Sequence, residues 1–396
     1  MRSDSTGSRT LRLGADCCAL PEDLLLAHGR GEVLFITGAG SSMQSGLPDF
    51  KQLVLNVYAA LDAPLHKALL AFPPGTSAKL FAPTGLQPLQ IAEGRRYLGG
   101  DFDVALGMLE RRLDGEGLQT TKVRQAISQI ISSASAKPSK IHRAIVSLAD
   151  RGVATAVVTT NFDLLLEQVS RKGSAALRSY SLASIPRPGR SPQFSGVMHI
   201  HGMLEPKSPA SEYFIVSDRD FGEFYLRRQV VPDFIYDAAR LYSIVLVGYS
   251  ATDPPMRYLL NAVAADGVRF SDLKPRYAFV PSQGVGDDVV IADWSARGIE
   301  PIPYDSSNGH RQLPDTLAKW ARMSAVNGDL AYIKRIACSI AKRRRSAVSE
   351  FDRDLLDYLY RRGSNTERLS LISSISKAGA NPEWLDAWID VSRGRA

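Results

Sequence analysis

The stretch that decides the fold is EVLFITGAGSSMQSGLPDF, residues 32–50. Its apolar beginning, EVLFIT, predicts a short buried strand that ends at Thr37. A glycine-rich turn follows, and helical spacing begins at residues 51–61. Glycines between a strand and a helix let backbone N–H groups approach a pyrophosphate closely. A plain tight turn between a strand and a helix explains the same pattern, so this segment alone leaves both interpretations open.

Strands and helices alternate along the chain beyond this stretch. Apolar runs predict further strands at 154–160, 197–200, 213–216, 243–247, 276–280 and 300–303. The alternation favours an α/β class, with a Rossmann-like, mostly parallel sheet covered on both faces. Residues 63–135 predict a mainly helical insertion and residues 173–194 a loop. Four helices are expected in the C-terminal region, at 329–344, 347–362, 365–377 and 383–392.

These patterns divide the chain into three parts. We expect an N-terminal segment at 1–30, a main α/β domain at 31–322 and a helical C-terminal region at 323–396. The main domain would contain the helical insertion, and the C-terminal region would extend the α/β fold.

The predicted strand at 154–160 ends in Thr159-Thr160-Asn161-Phe162-Asp163. Ligands of open parallel sheets bind beyond the carboxyl ends of the strands. Asn161 and Asp163 are therefore candidates for contacting one polar ligand. Both residue types also cap helices, so the start of the next helix is the alternative explanation.

A pair of histidines follows the predicted strand at 197–200, in His199-Ile200-His201-Gly202. Both would lie on one face if the strand continued through them. His201 is the better candidate for a general base, because imidazole titrates near neutrality. His199 is expected to be buried or to support the site from behind. No nearby cysteine, third histidine or Glu-x-x-His pattern completes a metal site, so we expect no metal.

The fourth motif, GYSATDP at 248–254, again follows a predicted buried strand. Gly248 and Ser250 would permit close approach to a ribose or a phosphate. Asp253-Pro254 suits a helix start equally well. Because all four motifs stand at carboxyl ends of predicted strands, one sheet could bring them to a single cleft.

Composition places the chain among ordinary globular proteins. With 396 residues, 44% hydrophobic and 22% charged, it is neither disordered nor fibrous. It has no apolar run of about 18 residues, which excludes a membrane span, and its first residues lack the apolar core of a secretory signal. Three cysteines, Cys17, Cys18 and Cys338, cannot build a disulfide framework or a four-cysteine zinc site. We therefore expect a cytoplasmic protein.

The net charge of +7 is concentrated at the C-terminal end. Residues 321–396 hold 14 basic and 9 acidic side chains, a net charge of +5. They include the run Lys342-Arg343-Arg344-Arg345. Such a cluster fits a nucleic acid, an acidic partner or simply a solvated helix face, and direct nucleic-acid binding stays open.

Taken together, GAGSSMQSGLPDF (38–50), TTNFD (159–163), HIHG (199–202) and GYS (248–250) resemble the motifs of the sirtuin family. The first segment matches the family pattern GAG-x-S-x-x-S-G-x-PDF at every position, and the resemblance covers about residues 31–305. It implies that 31–322 is a sirtuin-like domain that binds NAD+ and cleaves its nicotinamide–ribose bond.

The resemblance also implies roles for individual residues. Asn161 would bind the nicotinamide ribose or the attacking group, and His201 would be the general base. Asp163 would recognise the carboxamide of the nicotinamide. The other residues expected to contact NAD+ are Gly38, Ala39, Gly40, Ser41, Asp49, Phe50, Thr160, Gly248 and Ser250.

One departure from the family pattern shapes the expected function. No cysteine lies between His201 and Cys338, so the four-cysteine zinc module typical of protein-deacylating sirtuins is absent. The segment VGYSATDPPMRYLL, with Trp294 and GIEPIPY downstream, resembles the bacterial antiphage-defence branch. That resemblance implies a zinc-less NAD+ glycohydrolase that releases nicotinamide and ADP-ribose as a gated antiviral effector. The alternatives are an NAD-dependent deacylase or ADP-ribosyltransferase, and a non-enzymatic module that senses NAD or ADP-ribose.

The same resemblance suggests assembly. We expect a homo-oligomer, and a HerA-type ATPase is a candidate defence partner. The C-terminal region, with Trp384, Trp388 and its basic cluster, is the candidate oligomer or partner surface. A packed helical cap is the alternative for that region.

Overall fold

The computed structural model describes residues 9–115, 121–170, 176–204, 214–249, 273–284 and 286–392. Its strands are β1 (Thr10–Arg12), β2 (Ala19–Pro21), β3 (Val33–Thr37), β4 (Ala156–Thr159), β5 (Ser179–Ser181), β6 (Gly196–His199), β7 (Ser243–Val247), β8 (Arg276–Ser282) and β9 (Glu300–Asp305). β1 and β2 form an antiparallel pair. The other strands form one parallel sheet in the order β5-β6-β4-β3-β7-β8-β9.

This strand order confirms the predicted Rossmann-like α/β class. From the central β3 the chain first adds β4 and β6 on one side, then returns to place β7, β8 and β9 on the other. Reversal of the winding direction beside the first strand is the feature that opens a ligand crevice in doubly wound sheets. The carboxyl ends of β3, β4, β6 and β7, which carry the four sequence motifs, therefore lie along one edge.

Helices cover both faces of the sheet and build an additional helical layer. The α-helices are Glu22–Gly29, Gly40–Met43, Phe50–Leu61, Ala63–Ala71, Pro88–Gly99, Phe102–Asp114, Lys122–Ser133, Lys140–Ala149, Leu165–Ser170, Asp218–Phe221, Val230–Leu241, Asp287–Ala296, Gln312–Arg322, Leu330–Ala341, Glu350–Arg361, Asn365–Lys377 and Pro382–Ser392. A π-helical turn spans Gly222–Arg227. None of the helices in these ranges is long and apolar enough to cross a membrane.

The central strand shows why the sheet needs helices on both sides. All five residues of β3 are buried. Val33 and Phe35 join one hydrophobic core, whereas Leu34 and Ile36 join another on the opposite face. Burying one such side chain contributes roughly 1.5–3 kcal/mol, so each face of this strand stabilises its own helical layer.

The C-terminal helices pack into the first of these cores. Trp384 and Trp388 are 0% and 2% exposed and belong to the same core cluster as Phe35. The Trp388 ring stacks on Tyr360, and its Nε1 donates to Asp357 Oδ1 at 3.1 Å. The apolar rings of both tryptophans are therefore covered by the chain's own helices, as in a packed helical cap, and a partner surface elsewhere on this region stays a prediction.

The region predicted as a helical insertion is helical and has its own core. The four helices from Ala63–Ala71 to Lys122–Ser133 pack with Phe50–Leu61 around Tyr58 and Leu106. Arg124 connects this layer to the residues after β6, since its guanidinium donates to Phe214 O and to both oxygens of Asp220 at 2.7 Å.

Two sequence expectations differ from the structure. Residues 179–181, predicted as loop, form edge strand β5, whose half-buried Ser-Tyr-Ser sequence carries no apolar alternation. The strand expected at 213–216 is not seen in its described part, 214–216, which is irregular, and Asp220 accepts a hydrogen bond from Val216 N there. The N-terminal segment contains β1, β2 and a helix. The helix expected near 254–263 lies outside the described residues.

Candidate functional site

The glycine-rich turn after β3 packs directly against the end of β7. Gly38 N donates to Val247 O, and Gly40 N donates to Gly248 O, both at 2.9 Å. A Cβ added at Gly40 would lie 2.9 Å from Gly248 Cα. Gly248 has φ +75°, and a Cβ there would lie 2.4 Å from Ser41 N. Glycine is thus required at positions 40 and 248 for the turn after β3 to pack against the end of β7.

The Asn161 side chain at the end of β4 is anchored on this turn. Its Nδ2 lies 3.2 Å from Gly38 O, 3.2 Å from Ser41 Oγ and 3.0 Å from Ser42 Oγ. A carbonyl oxygen can only accept, so the atom that faces Gly38 must be the NH₂ group. Oδ1 is consequently the amide atom that remains for a ligand.

Asp163 lies where both roles that the sequence left open could be served. Its Oδ1 accepts from Leu165 N at 3.0 Å and so caps the helix Leu165–Ser170. Its Oδ2 accepts from Ser42 Oγ at 2.9 Å. Burial raises the pKa of this carboxyl, and the two hydrogen bonds only partly oppose the increase. Asp163 also faces a cleft, so helix capping and ligand contact are compatible here.

His201 lies in the turn just after β6 and is 6% exposed. Its Nε2 is 2.6 Å from the Tyr225 hydroxyl on the π-helical turn, and its ring meets the edge of Phe221. Burial lowers the pKa of His201 to about 3, so the imidazole is neutral at pH 7. π-Helical turns occur frequently at functional sites, which agrees with the position of Tyr225.

His199 makes contacts quite different from those of His201, because β6 ends at His199 and the strand does not continue between them. His199 is fully buried, its Nδ1 donates to Asn161 O at 2.9 Å, and its Nε2 lies 2.8 Å from Glu167 Oε1. Burial raises the pKa of Glu167, but the hydrogen bond and charge of His199, together with the Ser179 hydroxyl, outweigh it and leave the pKa lowered. This pair holds the Asn161 backbone from behind.

Two adjoining clefts run along the carboxyl edge of the sheet. We term the first the Asn161 cleft, and apolar side chains such as Phe221 form part of its lining. The predicted site residues that line it are Ala39, Asp49, Phe50, Thr160, Asn161, Asp163 and His201. The second, the Tyr304 cleft, is lined by Ala39, Gly40, Asp49, Phe50, Gly248, Tyr249, Phe279, Tyr304 and His310, among others. Ala39, Asp49 and Phe50 line both, so the two clefts are neighbours.

Some predicted residues contribute in other ways. Gly38 and Ser41 line neither cleft and instead accept hydrogen bonds from Asn161. Asp49 caps the helix Phe50–Leu61 by accepting from Gln52 N at 2.7 Å. Ser250 lies outside the described residues.

Besides Tyr225, sequence reasoning missed three polar residues that contact the site. Ser42 connects Asn161 with Asp163, Glu167 pairs with His199, and His142 lies 3.3 Å from Ser42 Oγ through its Nε2. Ser42 stands within the glycine-rich motif and could have been chosen from it. The other two become neighbours of the site only after folding. In the described part of the chain, no group of three or more His, Cys, Asp or Glu side chains is placed to hold a metal ion.

The geometry defines a doubly wound α/β protein with a cleft at its switch point that presents a few fixed polar side chains. Residues 155–302 match the family model described as SIR2-like domain. The matched region contains Asn161, Asp163 and His201, and the glycine-rich turn precedes it.

One curated relative is the uncharacterized protein y4cA of Sinorhizobium fredii (strain NBRC 101917 / NGR234), which is 31% identical over 313 residues. The alignment covers 77% of this chain but 23% of the relative, so the chain spans about a quarter of that protein.

Solved structures give weaker matches. A Sir2 homologue mutant in complex with ADP ribose is 16% identical, with a TM-score of 0.32 over 75% of this chain and 95% of that one. A second, titled as the structural basis for the mechanism and regulation of Sir2 enzymes, is 13% identical, with a TM-score of 0.33 over 76% and 93%. The strand order itself defines the fold.

Proposed function

We propose that this protein is an NAD+ glycohydrolase, which cleaves the nicotinamide–ribose bond of NAD+ with water to give nicotinamide and ADP-ribose. The observation that carries the proposal is that one cleft is lined by Asn161, Asp163 and His201 and adjoins the glycine-rich turn. The match of residues 155–302 to the SIR2-like domain supports NAD+ as the substrate.

Cleavage of the nicotinamide–ribose bond needs little acid catalysis. Nicotinamide carries a positive charge while bound to ribose and leaves as a neutral base, and the ribose passes through an oxocarbenium-like state. The protein must therefore orient the nicotinamide, stabilise the developing positive charge and place a water molecule. These are tasks for a few fixed polar groups in a largely apolar cleft.

Asn161 and Asp163 fit two of these tasks. Because Nδ2 of Asn161 is held by the turn, Oδ1 can accept a hydrogen bond from the attacking water or from a ribose hydroxyl. Asp163 lies two residues further along in the same cleft, and its carboxyl would recognise the carboxamide. Both side chains are fixed through Ser42, so they would be oriented before the substrate binds.

His201 would remove the proton from the attacking water. A pKa of about 3 keeps the imidazole neutral but makes it a weak base at neutral pH. The diphosphate of a bound substrate would bring negative charge into the cleft, which favours imidazolium and raises that pKa. Base strength would therefore increase when the substrate is present.

The test is product analysis after incubating the purified protein with NAD+ alone. We expect nicotinamide and ADP-ribose from the wild type, and a loss of about 10²–10⁴-fold in rate for His201→Ala, the usual range for general-base help. Asn161→Ala should lose turnover as well. His66→Ala, in the helix Ala63–Ala71, serves as the matched control and should retain it. A His201→Ala protein that cleaves NAD+ as fast as the wild type would refute the assignment.

The same assay separates the competing functions. Nicotinamide release that requires an acylated peptide would identify a deacylase, and transfer of ADP-ribose to protein would identify a transferase. Tight NAD+ or ADP-ribose binding without any product would identify a sensor.

We also propose that hydrolysis is gated and serves antiviral defence. Unrestricted loss of NAD+ would poison the host cell, and in this structure His201 Nε2 is engaged by the Tyr225 hydroxyl. The base would become available when that bond opens. Cellular NAD+ should then fall only after phage infection; an equal fall in uninfected cells would contradict gating. Solution mass, alone and with a co-expressed HerA-type ATPase, tests the proposed homo-oligomer and partner.

A further inference from the structure

His142 is a buried histidine that has no direct role in the proposed reaction. It lies at the third position of the helix Lys140–Ala149, is 1% exposed and lines neither cleft. Its two ring nitrogens nevertheless contact polar groups on opposite sides, and one of those groups belongs to the site.

The contacts on one side fix the position of the ring hydrogen. Ser139 N lies 3.1 Å from Nδ1 of His142, and Ser139 Oγ lies 2.8 Å from it. A backbone N–H can only donate, so Nδ1 carries no hydrogen. Burial lowers the pKa of His142 to about 4, which makes the ring neutral at pH 7. The single ring hydrogen is therefore on Nε2.

The contact on the other side uses this hydrogen. Nε2 of His142 lies 3.3 Å from Ser42 Oγ, so Ser42 accepts there. The same oxygen accepts from Asn161 Nδ2 at 3.0 Å and donates to Asp163 Oδ2 at 2.9 Å. One donated and two accepted hydrogen bonds use the full capacity of a hydroxyl. With the hydrogen on Nδ1, Nε2 of His142 would instead compete with Asp163 for the Ser42 proton.

We propose that His142 is a positioning residue: held by Ser139 with its hydrogen on Nε2, it directs the Ser42 proton to Asp163 and leaves Ser42 to fix the Asn161 amide. The kinetic consequence rests on the proposed NAD+ hydrolysis, whereas the position of the ring hydrogen does not. His142 acts through Ser42 and needs no contact with the substrate.

Two substitutions of His142 test the acceptor at Nδ1 and the donor at Nε2 separately. His142→Asn keeps an acceptor near the Nδ1 position for Ser139 but cannot reach Ser42. His142→Gln carries an amide NH₂ to about the Nε2 position and keeps the donor. We expect kcat for nicotinamide release to fall about tenfold or more in His142→Asn, the equivalent of one lost hydrogen bond to a polar network, and to be largely rescued in His142→Gln. KM for NAD+ should change little in either variant.

The matched control is His28→Asn. His28 is also buried, its pKa is lowered to about 4, and it hydrogen-bonds to Leu148 O, but it packs on Trp320 away from Ser42. This variant should unfold at a lower temperature with kcat unchanged. If His142→Asn and His142→Gln lose kcat equally, or if His142→Asn retains wild-type kcat, the positioning role is overturned.

A spectroscopic measurement decides the hydrogen position without any activity. Long-range ¹H–¹⁵N spectra distinguish the two neutral tautomers and imidazolium, and the His142 signals are assigned by their loss in His142→Gln. We expect the Nε2–H form at pH 7; the Nδ1–H form or imidazolium would refute the proposal. A wild type that releases no nicotinamide would refute the proposed function, while the spectrum would still decide the inference about His142.

Discussion

Replacing Glu167 by alanine should weaken the support behind Asn161. Glu167 Oε1 lies 2.8 Å from both His199 Nε2 and Ser179 Oγ, and His199 Nδ1 donates to Asn161 O at 2.9 Å. Glu167 and His199 are 3% and 0% exposed. The alanine variant would leave a buried imidazole without its acceptor and a buried hydroxyl without its partner.

The size of the effect follows from the burial of the pair. Removing Glu167 leaves two buried polar groups, on His199 and Ser179, without their partner, at about 1–3 kcal/mol each. Glu167→Gln should cost only about 1 kcal/mol, because the amide nitrogen in the place of Oε1 can donate to both His199 and Ser179. The lowered pKa of Glu167 means that its stabilisation is present above the unfolded carboxyl pKa of about 4.3 and is lost as the pH falls through the lower folded value.

The assay is urea unfolding at pH 7, followed by tryptophan fluorescence, with kcat for nicotinamide release measured in parallel. Glu167→Ala should lose both stability and kcat, and Glu167→Gln should retain most of each. Equal unfolding free energies for the wild type and Glu167→Ala, within about 1 kcal/mol, would show that the pair carries no net stabilisation and would refute the reasoning.

Three further predictions concern stability. Trp388→Ala should cost about 3–5 kcal/mol in urea unfolding, whereas Ile389→Ala, 46% exposed, should cost under about 1 kcal/mol; equal costs would contradict the packed C-terminal core. Gly248→Ala should cost about 2–4 kcal/mol, and Gly284→Ala, with a similar φ of +87° but nothing within 4 Å, should show only the backbone strain, both read from thermal unfolding. Burial lowers the pKa of His28 to about 4, so its contribution is full above pH 6.5 and lost towards pH 4. The unfolding free energy of His28→Leu should therefore decline less over that range than that of the wild type.

The sequence predicted the strand ends at the carboxyl edge of the sheet better than it predicted the short outer strands. Strand ends at Thr37 and Val247 were predicted, and the end of β4 within one residue, because short apolar runs stop there, and parallel pairing aligns their carboxyl ends. Edge strand β5 was missed because its residues are only half buried. The antiparallel pair β1–β2 was missed because strands of three residues carry almost no periodic pattern.

In the candidate site, too, residues that follow strands could be predicted and residues brought close only by folding could not. Asn161 and His201 could be chosen because each follows a strand, and both line the Asn161 cleft. Glu167 is 32 residues from His199, and His142 is 100 residues from Ser42, so neither pairing has a local pattern. These contacts depend on helix packing against the sheet, which spacing alone does not specify.

The two ends of the described chain meet on one side of the sheet. Arg361 bonds to Glu22 at 2.8 Å, Arg9 pairs with Asp354, and β1 packs on the helix Glu350–Arg361. The helix Lys140–Ala149, which carries His142, belongs to the same core.

The residues that line the Asn161 cleft are therefore synthesised before the C-terminal helices that complete the core behind it. Contacts between residues more than 300 positions apart form late, because closing so long a loop must precede them. A ribosome-bound chain that ends near residue 345 should still be cleaved by protease within residues 9–30. Such a chain lacks the helices Glu350–Arg361, Asn365–Lys377 and Pro382–Ser392, so the core behind the cleft would be incomplete.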